Sequence, residues 1–276
     1  MELFVTDLDG TLINSKREVP KRSLEILNKL IEKGVNFTVA TARTPATAVE
    51  ILQDLNLKLP VALMNGVLIY DTRDLKYIDI KGIGKESVNK VLDIFKEYNK
   101  NPLVYGVKDN HLWVYHKEFE NIYEYNFYKE RADKKLKTFV KVEDYNDSLK
   151  ESNIINFVAF DNYEKIKAIA EKIKCIEGIT VNYYKDVYED CYFLEAYSSE
   201  ASKANGIKYL SKYIEYSKVI CFGDNLNDIP MFELANEAYA TANAAEEIKK
   251  IATDVIGSCE DNGVAEFLEK RFEDKY

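Results

Sequence analysis

The sequence has few of the residues that bind transition metals or cross-link a chain. It contains only two histidines and four cysteines among 276 residues. The cysteines (Cys175, Cys191, Cys221 and Cys259) are too scattered for a zinc-type spacing or a disulfide framework, so we expect the reduced thiols of a cytoplasmic protein. The N-terminus enters a predicted strand without a basic segment or a cleavage site, so no signal peptide is expected.

Long apolar runs and an excess of basic charge are also missing. No stretch is long and uncharged enough to predict a transmembrane helix. The net charge is -9, and nucleic acids and anionic membranes favour clustered Lys and Arg, so neither is expected as a partner. No coiled-coil pattern or apolar stripe indicates an oligomeric state. At 276 residues with 46% hydrophobic content, the chain is long enough for two domains.

Acidic residues follow two apolar segments that have the character of buried strands. Asp7 and Asp9 come directly after residues 3–6, and Asp224 and Asp228 follow residues 218–222. In an open parallel sheet, ligands bind at the carboxyl ends of the strands. Carboxylates this close indicate a hard metal ion or one perturbed carboxyl, although a solvated acidic turn would explain the first pair alone. Oxygen ligands without a His or Cys cluster favour magnesium over zinc or copper.

Two further segments have features that suit a phosphate group. A predicted strand at residues 36–40 ends in Thr41-Ala42-Arg43-Thr44-Pro45, where Thr44 is the predicted N-cap and Pro45 the first residue of a helix. Free backbone amides at helix N-termini attract phosphate. Lys203 lies near the start of another predicted helix and supplies the positive charge that a phosphate dianion requires.

These residues, taken in order, resemble a known family. The segments Asp7-Leu8-Asp9-Gly10-Thr11, Thr41, Lys203 and Gly223-Asp224 with Asn227-Asp228 are similar to the four motifs of haloacid dehalogenase-like phosphohydrolases. Asn65-Gly66, Thr241-Ala242-Asn243-Ala244 and Asp261-Asn262-Gly263-Val264-Ala265 resemble signatures of the Cof-type subfamily, whose members are mostly phosphatases of sugar phosphates and other small esters. Ala42 and Ala204 stand where these proteins commonly have glycine, and alanine fits there if its backbone φ is negative.

The order of predicted strands and helices gives an α/β fold. Strands alternating with helices predict a doubly wound, mostly parallel sheet, with helices at residues 20–34 and 44–55 and a hairpin of residues 67–70 and 77–80. Residues 82–193 form a separate predicted α/β unit inserted between residues 1–81 and 194–276. The resemblance implies a Rossmann-like catalytic core with an inserted cap that selects the leaving group. Some tyrosines of the insert, such as Tyr105 and Tyr188, are candidates for sugar binding, but most are expected to pack within strands.

The resemblance also implies a mechanism and a role for each motif residue. It implies a magnesium-dependent phosphatase that forms an aspartyl-phosphate on Asp7, with Asp9 as general acid and base and Lys203 as the cation on the phosphate. The implied metal ligands are Asp7, Asp9 through its backbone carbonyl, and Asp224. The implied phosphate ligands are the backbone amides of Leu8 and Ala42 together with Thr41, Lys203 and Asn227. Thr11 and Asp228 are supporting residues, and Asp228 is expected as a helix N-cap or behind the metal ligands.

Other activities are compatible with parts of this pattern. A phosphomutase of the same superfamily would return the phosphoryl group to a second hydroxyl instead of water. A phosphate-ester sensor would use the cap as a ligand-dependent switch. Cation pumps of the superfamily have lysine at the position of Asp9 and contain membrane helices, and this chain has neither. Hydrolysis is favoured because binding alone does not require Asp9.

Overall fold

The chain forms two compact units, each described here by itself. The computed structural model describes residues 1–185 and 191–273, so Tyr188 lies outside the described residues. One unit combines Met1–Asp79 with the segment that begins at Ser202, and the other is Ile80–Ala201, called the insert below.

The elements follow one another in three segments. The first contains β1 (Glu2–Thr6), α1 (Lys21–Glu32), β2 (Asn36–Val39), α2 (Pro45–Leu52), β3 (Val61–Leu63), β4 (Leu68–Asp71) and β5 (Lys76–Ile80). The insert contains α3 (Lys85–Glu97), β6 (Leu103–Lys108), β7 (His111–His116), α4 (Ile122–Lys129), β8 (Lys137–Lys141), α5 (Tyr145–Ser148), β9 (Asn153–Asp161), α6 (Tyr163–Ile173), β10 (Ile179–Lys185) and β11 (Tyr192–Ser198). The last contains α7 (Lys203–Tyr209), β12 (Lys218–Gly223), α8 (Ile229–Leu234), β13 (Glu237–Thr241), α9 (Glu246–Ile251), β14 (Asp254–Ile256) and α10 (Gly263–Glu273).

The first unit is built on a five-stranded sheet in the order β14-β13-β12-β1-β2, in which every pairing is parallel. Leu3 and Val5 of β1 belong to a buried cluster with residues of α7, α8 and α9. Phe4, between them, packs edge-on against Phe272 of α10, with ring centroids 5.7 Å apart. Alternate residues therefore face helices on opposite sides, which confirms the predicted doubly wound parallel sheet.

The predicted helices of this unit are present, but the second is shorter than expected. Helix α2 ends at Leu52, three residues before the predicted end. Thr44 occupies the N-cap position, as predicted, although its side chain makes no capping hydrogen bond. The Thr44 hydroxyl instead contacts that of Thr47 at 3.5 Å. Pro45 is the first helical residue, as predicted, and its fixed φ suits that position.

A second, three-stranded sheet has the order β3-β4-β5, and its last two strands contain most of the predicted hairpin residues. A tight turn between β3 and β4, called the left-handed turn below, has positive φ at Met64 (50°), Asn65 (55°) and Gly66 (87°). Its backbone is held against the chain that follows β2, because Met64 N donates to Arg43 O at 3.0 Å and Asn65 N to Thr41 O at 2.9 Å.

The insert contains a six-stranded sheet in the order β10-β11-β9-β6-β7-β8, antiparallel except for the parallel β7–β8 pair. Helices α3 and α6 pack on one face of it. Strand β11 extends the insert to Ser198, beyond the predicted limit at residue 193. Among the described residues of either unit, no helix is both long and apolar enough to cross a bilayer.

The other face of the insert sheet has a polar row of three buried side chains. Asn156 of β9 lies opposite Tyr197 of β11 and opposite Tyr105 of β6. The neighbouring residues Val104, Phe157 and Ala196 point to the helical face. Tyr197 accepts a hydrogen bond from Asn182 at 3.0 Å, whereas the buried Oδ1 of Asn156 has no partner among the described residues.

Candidate active site

Parallel pairing of β1 and β12 brings the two acidic segments together. Thr6 lies opposite Phe222, and Asp7 N donates to Phe222 O at 3.0 Å. The residues that follow these strands, Asp7 on one and Asp224 on the other, therefore emerge at the same edge of the sheet. One carboxylate oxygen from each of Asp7, Asp224 and Asp228 lies within 4.8 Å of the others.

Lys203 occupies the centre of this cluster. Its Nζ lies 2.7 Å from Asp7 Oδ1 and 2.6 Å from Asp228 Oδ1, and the lysine is buried. The side chain is placed by α7, which begins at Lys203 and is capped by the Ser202 hydroxyl, which accepts a hydrogen bond from Asn205 N at 3.0 Å. The predicted lysine therefore meets the predicted acids of both strand ends.

The cluster holds more negative than positive charge, and the pKa values reflect this. Burial raises the pKa of Asp7 to about 7, against the opposing effect of Lys203. Burial also raises the pKa of Asp224 to about 6, with a further contribution from the Asp228 charge. Burial alone would lower the pKa of Lys203, but its two aspartate partners raise it above its ordinary value, so the lysine stays protonated.

Asp228 lies behind the other two acids and has both oxygens occupied. Its Oδ2 accepts hydrogen bonds from Asp224 N at 2.9 Å and Asn225 N at 3.0 Å, while Oδ1 binds Lys203. A Cβ at Gly223 would lie only 2.6 Å from Asp228 Oδ2, so glycine is needed there for the carboxylate to reach these amides. Asp228 therefore contacts Lys203 and two backbone amides, and although it stands at the N-cap of α8, its side chain makes no capping bond to that helix.

Asp224 is held by residues of the turn after β1. Thr11 Oγ1 donates to Asp224 Oδ1 at 3.0 Å. Gly10 has φ +72°, and a Cβ there would lie 2.2 Å from Asp224 Oδ2, so only glycine leaves room for this oxygen. Thr241 and Asn243 fix the same turn by donating side-chain hydrogen bonds to Gly10 O at 3.2 and 2.7 Å. No role was predicted for these two, although both belong to a quoted Cof-type signature.

The donor set fits a hard divalent cation. Within the described residues, Asp7 Oδ2 and Asp224 Oδ2 accept no hydrogen bond, and all nearby ligand atoms are oxygens. The single ammonium of Lys203 leaves the three carboxylates with excess negative charge, which a cation would offset.

The predicted phosphate-binding residues differ in their exposure and in their hydrogen bonds. Leu8 and Thr41 are buried, whereas Ala42 and Asn227 are exposed. The backbone amides of Leu8 and Ala42 donate no hydrogen bond to any described residue, so both are available to an anion. Ala42 and Ala204 are absent from the positive-φ residues of the chain, so alanine is unstrained at both positions. Asn227 makes no contact with the acids among the described residues.

The Asp9 side chain does not join the acidic cluster. Its carboxylate is bound by Arg43 through two hydrogen bonds, from Nε to Oδ2 at 2.7 Å and from Nη2 to Oδ1 at 2.6 Å. No role was predicted for Arg43, which stands two residues after Thr41. Its position in the motif loop is the only sequence signal for it, because the pairing with Asp9 depends on how two loops meet.

The chain is similar to known proteins over nearly its whole length. Residues 4–268 match the family model described as haloacid dehalogenase-like hydrolase. A 5-amino-6-(5-phospho-D-ribitylamino)uracil phosphatase of Bacillus subtilis is 24% identical over 98% of this chain and 97% of that protein. A haloacid dehalogenase-like hydrolase from Bacteroides thetaiotaomicron has a similar structure, with a TM-score of 0.79, 22% identity and coverage of 98% and 99%. A sugar phosphatase of HAD subclass IIB gives a TM-score of 0.74, 24% identity and coverage of 99% of both chains.

The chain belongs to the haloacid dehalogenase-like hydrolase family. The resemblance stated from the ordered motifs is thereby confirmed, as are the α/β fold and the assignment to the hydrolases.

Proposed function

We propose that the protein is a magnesium-dependent phosphatase that hydrolyses small phosphate monoesters through an aspartyl-phosphate on Asp7. The proposal rests on the buried Lys203 ammonium 2.7 Å from Asp7 Oδ1, beside an Asp7 Oδ2 that accepts no hydrogen bond from the described residues. This geometry gives one carboxylate oxygen for attack and a cation where a phosphate oxygen would lie. The names of the ribitylaminouracil phosphatase and the sugar phosphatase support the same reaction class.

The proposed reaction has two steps, the formation of the aspartyl-phosphate and its hydrolysis. In the first, Asp7 Oδ2 attacks phosphorus, the bond from phosphorus to the ester oxygen breaks, and the leaving alkoxide takes a proton from the Asp9 carboxyl. In the second, Asp9 accepts a proton from water, whose oxygen attacks phosphorus while the bond to Asp7 breaks. The products are the alcohol and inorganic phosphate, and both aspartates return to their starting states.

The residues beside Asp7 hold the phosphate during these steps. Lys203, the Thr41 hydroxyl and the backbone amides of Leu8 and Ala42 would donate to its oxygens, with Asn227 assisting. Asp7, Asp224 and the backbone carbonyl of Asp9 would hold the magnesium ion. When bound, the ion offsets the repulsion between the Asp7 carboxylate and the phosphate dianion.

We propose that the insert acts as a cap that selects the leaving group. The polar row supports this role, because Tyr105, Asn156 and Tyr197 offer two hydroxyls and a carboxamide on the sheet face without helices α3 and α6. Donors, acceptors and aromatic faces of this kind suit a sugar or another polyol. A cytoplasmic location is also proposed, and it is supported by four free cysteines.

The test is release of inorganic phosphate from a panel of sugar phosphates, nucleotides and cofactor phosphates. We expect multiple turnovers with magnesium and none after chelation, with recovery when magnesium is added back. Asp7→Asn should lower kcat on the order of 10⁴-fold or more, because it removes the attacking charge. Asp147→Asn is the matched control, since it makes the same change at an exposed surface pair and should leave turnover unchanged.

The same assay separates the alternatives. A sensor would bind esters without turnover, and a phosphomutase would isomerise a sugar phosphate without net release of phosphate. Full activity after thorough chelation contradicts the metal assignment. Appreciable turnover by a folded Asp7→Asn variant, with folding checked by circular dichroism, contradicts the nucleophile assignment.

A further inference from the structure

The Asp9 carboxylate has a single side-chain partner. Both of its oxygens accept hydrogen bonds from Arg43, at 2.7 and 2.6 Å, in the parallel two-bond geometry that a guanidinium offers to a carboxylate. No other described side chain bonds to the Asp9 carboxylate. The orientation of Asp9, which is 55% exposed at its side chain, therefore depends on Arg43.

Arg43 is itself held more firmly than a surface arginine. Its backbone N donates to Thr41 Oγ1 at 3.2 Å, and its carbonyl accepts from Met64 N at 3.0 Å. Its side chain is only 17% exposed, and Asp9 is its one acidic partner among the described residues. A side chain with a fixed backbone and one partner can set the position of that partner.

The contact between Arg43 and Asp9 opposes the repulsion between Asp9 and the other acids of the site. Asp9 stands two residues after Asp7, so its negative charge adds to that of the acidic cluster. Without an opposing cation, the Asp9 carboxylate would turn away from Asp7 and Asp224 toward solvent. Arg43 supplies that cation from the loop that also carries Thr41.

We propose that Arg43 is the positioning residue for Asp9, a role that rests on the proposed function of Asp9 as general acid and base. One Asp9 oxygen leaves the guanidinium each time Asp9 gives or takes a proton. The other oxygen stays bound and fixes the plane of the carboxyl group relative to the ester oxygen. Arg43 thus affects proton delivery to the leaving group and does not itself take part in proton transfer.

The test compares esters whose leaving groups differ in their need for a proton. 4-Nitrophenolate leaves without protonation, whereas the alkoxide of glucose 6-phosphate, or of the best alkyl ester in the panel, requires it. For Arg43→Met we expect kcat/KM, which reports the step that forms the aspartyl-phosphate, to fall about 10- to 100-fold on the alkyl ester and less than about 3-fold on 4-nitrophenyl phosphate. The later hydrolysis of the aspartyl-phosphate also uses Asp9, and it affects kcat on both esters alike. Arg43→Lys keeps the charge without the two-bond geometry and should lie between wild type and Arg43→Met.

Two further variants complete the design. Arg22→Met is the matched control, because Arg22 is an exposed arginine that pairs with Glu266 and Glu269, and both rates should stay at wild-type values. Asp9→Asn should show the same selective loss of kcat/KM on the alkyl ester, and adding Arg43→Met to it should cause no further loss, since the two residues act on one step.

Each contrary outcome has a distinct meaning. Equal losses of kcat/KM on both esters, no loss on either, or multiplicative losses in the double variant would overturn the role of Arg43 alone. Uniform loss of kcat/KM across esters in Asp9→Asn would overturn the role of Asp9 as general acid and with it the proposal. Absence of turnover by the wild-type chain on every ester overturns both.

Discussion

Three buried lysines of this chain differ in their acidic partners. Lys203 lies between Asp7 and Asp228 in the candidate active site, and Lys100 of the insert pairs with Glu124 and Glu120. Lys137, at the start of β8, is equally buried but has no acidic partner among the described residues. Burial, with the nearby charges of Arg131 and Lys134, lowers the pKa of Lys137 to about 7. Acidic partners at the other two lysines raise the pKa above its ordinary value despite burial.

Lys137 gives a pH-dependent contribution to stability. A free lysine titrates near ~10.4, so between about pH 7 and pH 10 the unfolded chain binds a proton that the folded chain has released. The free energy of unfolding should therefore rise with pH across this window. Lys137→Met removes the effect, and we expect the gain in stability from pH 7 to pH 9.5 to be about 1–3 kcal/mol smaller in the variant. Urea unfolding at both pH values measures this difference.

Lys135→Met is the control for this prediction, because Lys135 is exposed two residues away. It should reproduce the wild-type change in stability between the two pH values. An equal change in wild type and Lys137→Met would show that Lys137 remains protonated in the folded protein at pH 9.5.

At the scale of elements, the left-handed turn between β3 and β4 lies against the start of helix α7. A Cβ at Gly66 would lie 2.1 Å from the carbonyl oxygen of Ser202, the residue that caps α7. The other end of the turn is bonded to the carbonyls of Thr41 and Arg43. The turn therefore fixes the spacing between the Thr41 loop and the helix that carries Lys203.

Gly66→Ala should disturb both the fold and the site. The substitution forces alanine into positive φ and drives its Cβ into Ser202, so we expect a loss of about 3 kcal/mol or more and reduced turnover. Gly34→Ala is the matched control, because Gly34 has φ +94° but nothing within 4 Å of an added Cβ. It should cost only about 1–2 kcal/mol and leave kcat and KM unchanged. Similar losses of stability and turnover in both variants would show that the contact with Ser202 contributes to neither.

The elements differ in how far the sequence predicts them. Strands β1 and β12 are predictable because each is a short apolar run that ends in acids and pairs within a buried parallel sheet. The left-handed turn is not predictable in the same way, since nothing in Met64 itself favours positive φ. Its backbone is held by hydrogen bonds that Met64 N and Asn65 N donate to the carbonyls of Arg43 and Thr41, which are distant in sequence. The N-cap position of Thr44 is predictable because Pro45 follows it, whereas the contact of its hydroxyl with Thr47 in the first turn of α2 is not.

At the scale of the whole molecule, the candidate site draws on segments at both ends of the sequence. The meeting of Asp7, Lys203 and Asp224 could be predicted, because their motifs supply opposite charges and because the two strands that carry the acids pair in parallel. The pairing of Asp9 with Arg43 could not be predicted in this way, because it depends on the relative position of two loops. The hydrogen bonds of Thr241 and Asn243 could not be predicted either, since both side chains reach across the sheet edge to the Gly10 carbonyl.

The division into two units predicts separate control of chemistry and selectivity. Asn156→Ala removes a buried acceptor without a partner among the described residues, so stability should be unchanged or slightly higher. We expect KM for the preferred polyol phosphate to rise about 10-fold or more, because the lost carboxamide can no longer bind a hydroxyl, with kcat/KM for 4-nitrophenyl phosphate unchanged. Asn146→Ala, at an exposed position of the insert, is the control. An unchanged ranking of substrates in Asn156→Ala would contradict a role for the polar row.

The central position of β1 has a consequence for biosynthesis. This strand leaves the ribosome well before one of its two neighbours, β12, which begins 216 residues later, from the pairing of Glu2 with Lys218. The insert is contiguous and lies wholly between them, so it can fold while β1 still waits for its partner. Translation that stops before residue 218 would release a chain with an exposed apolar strand edge, a substrate for chaperones and proteases.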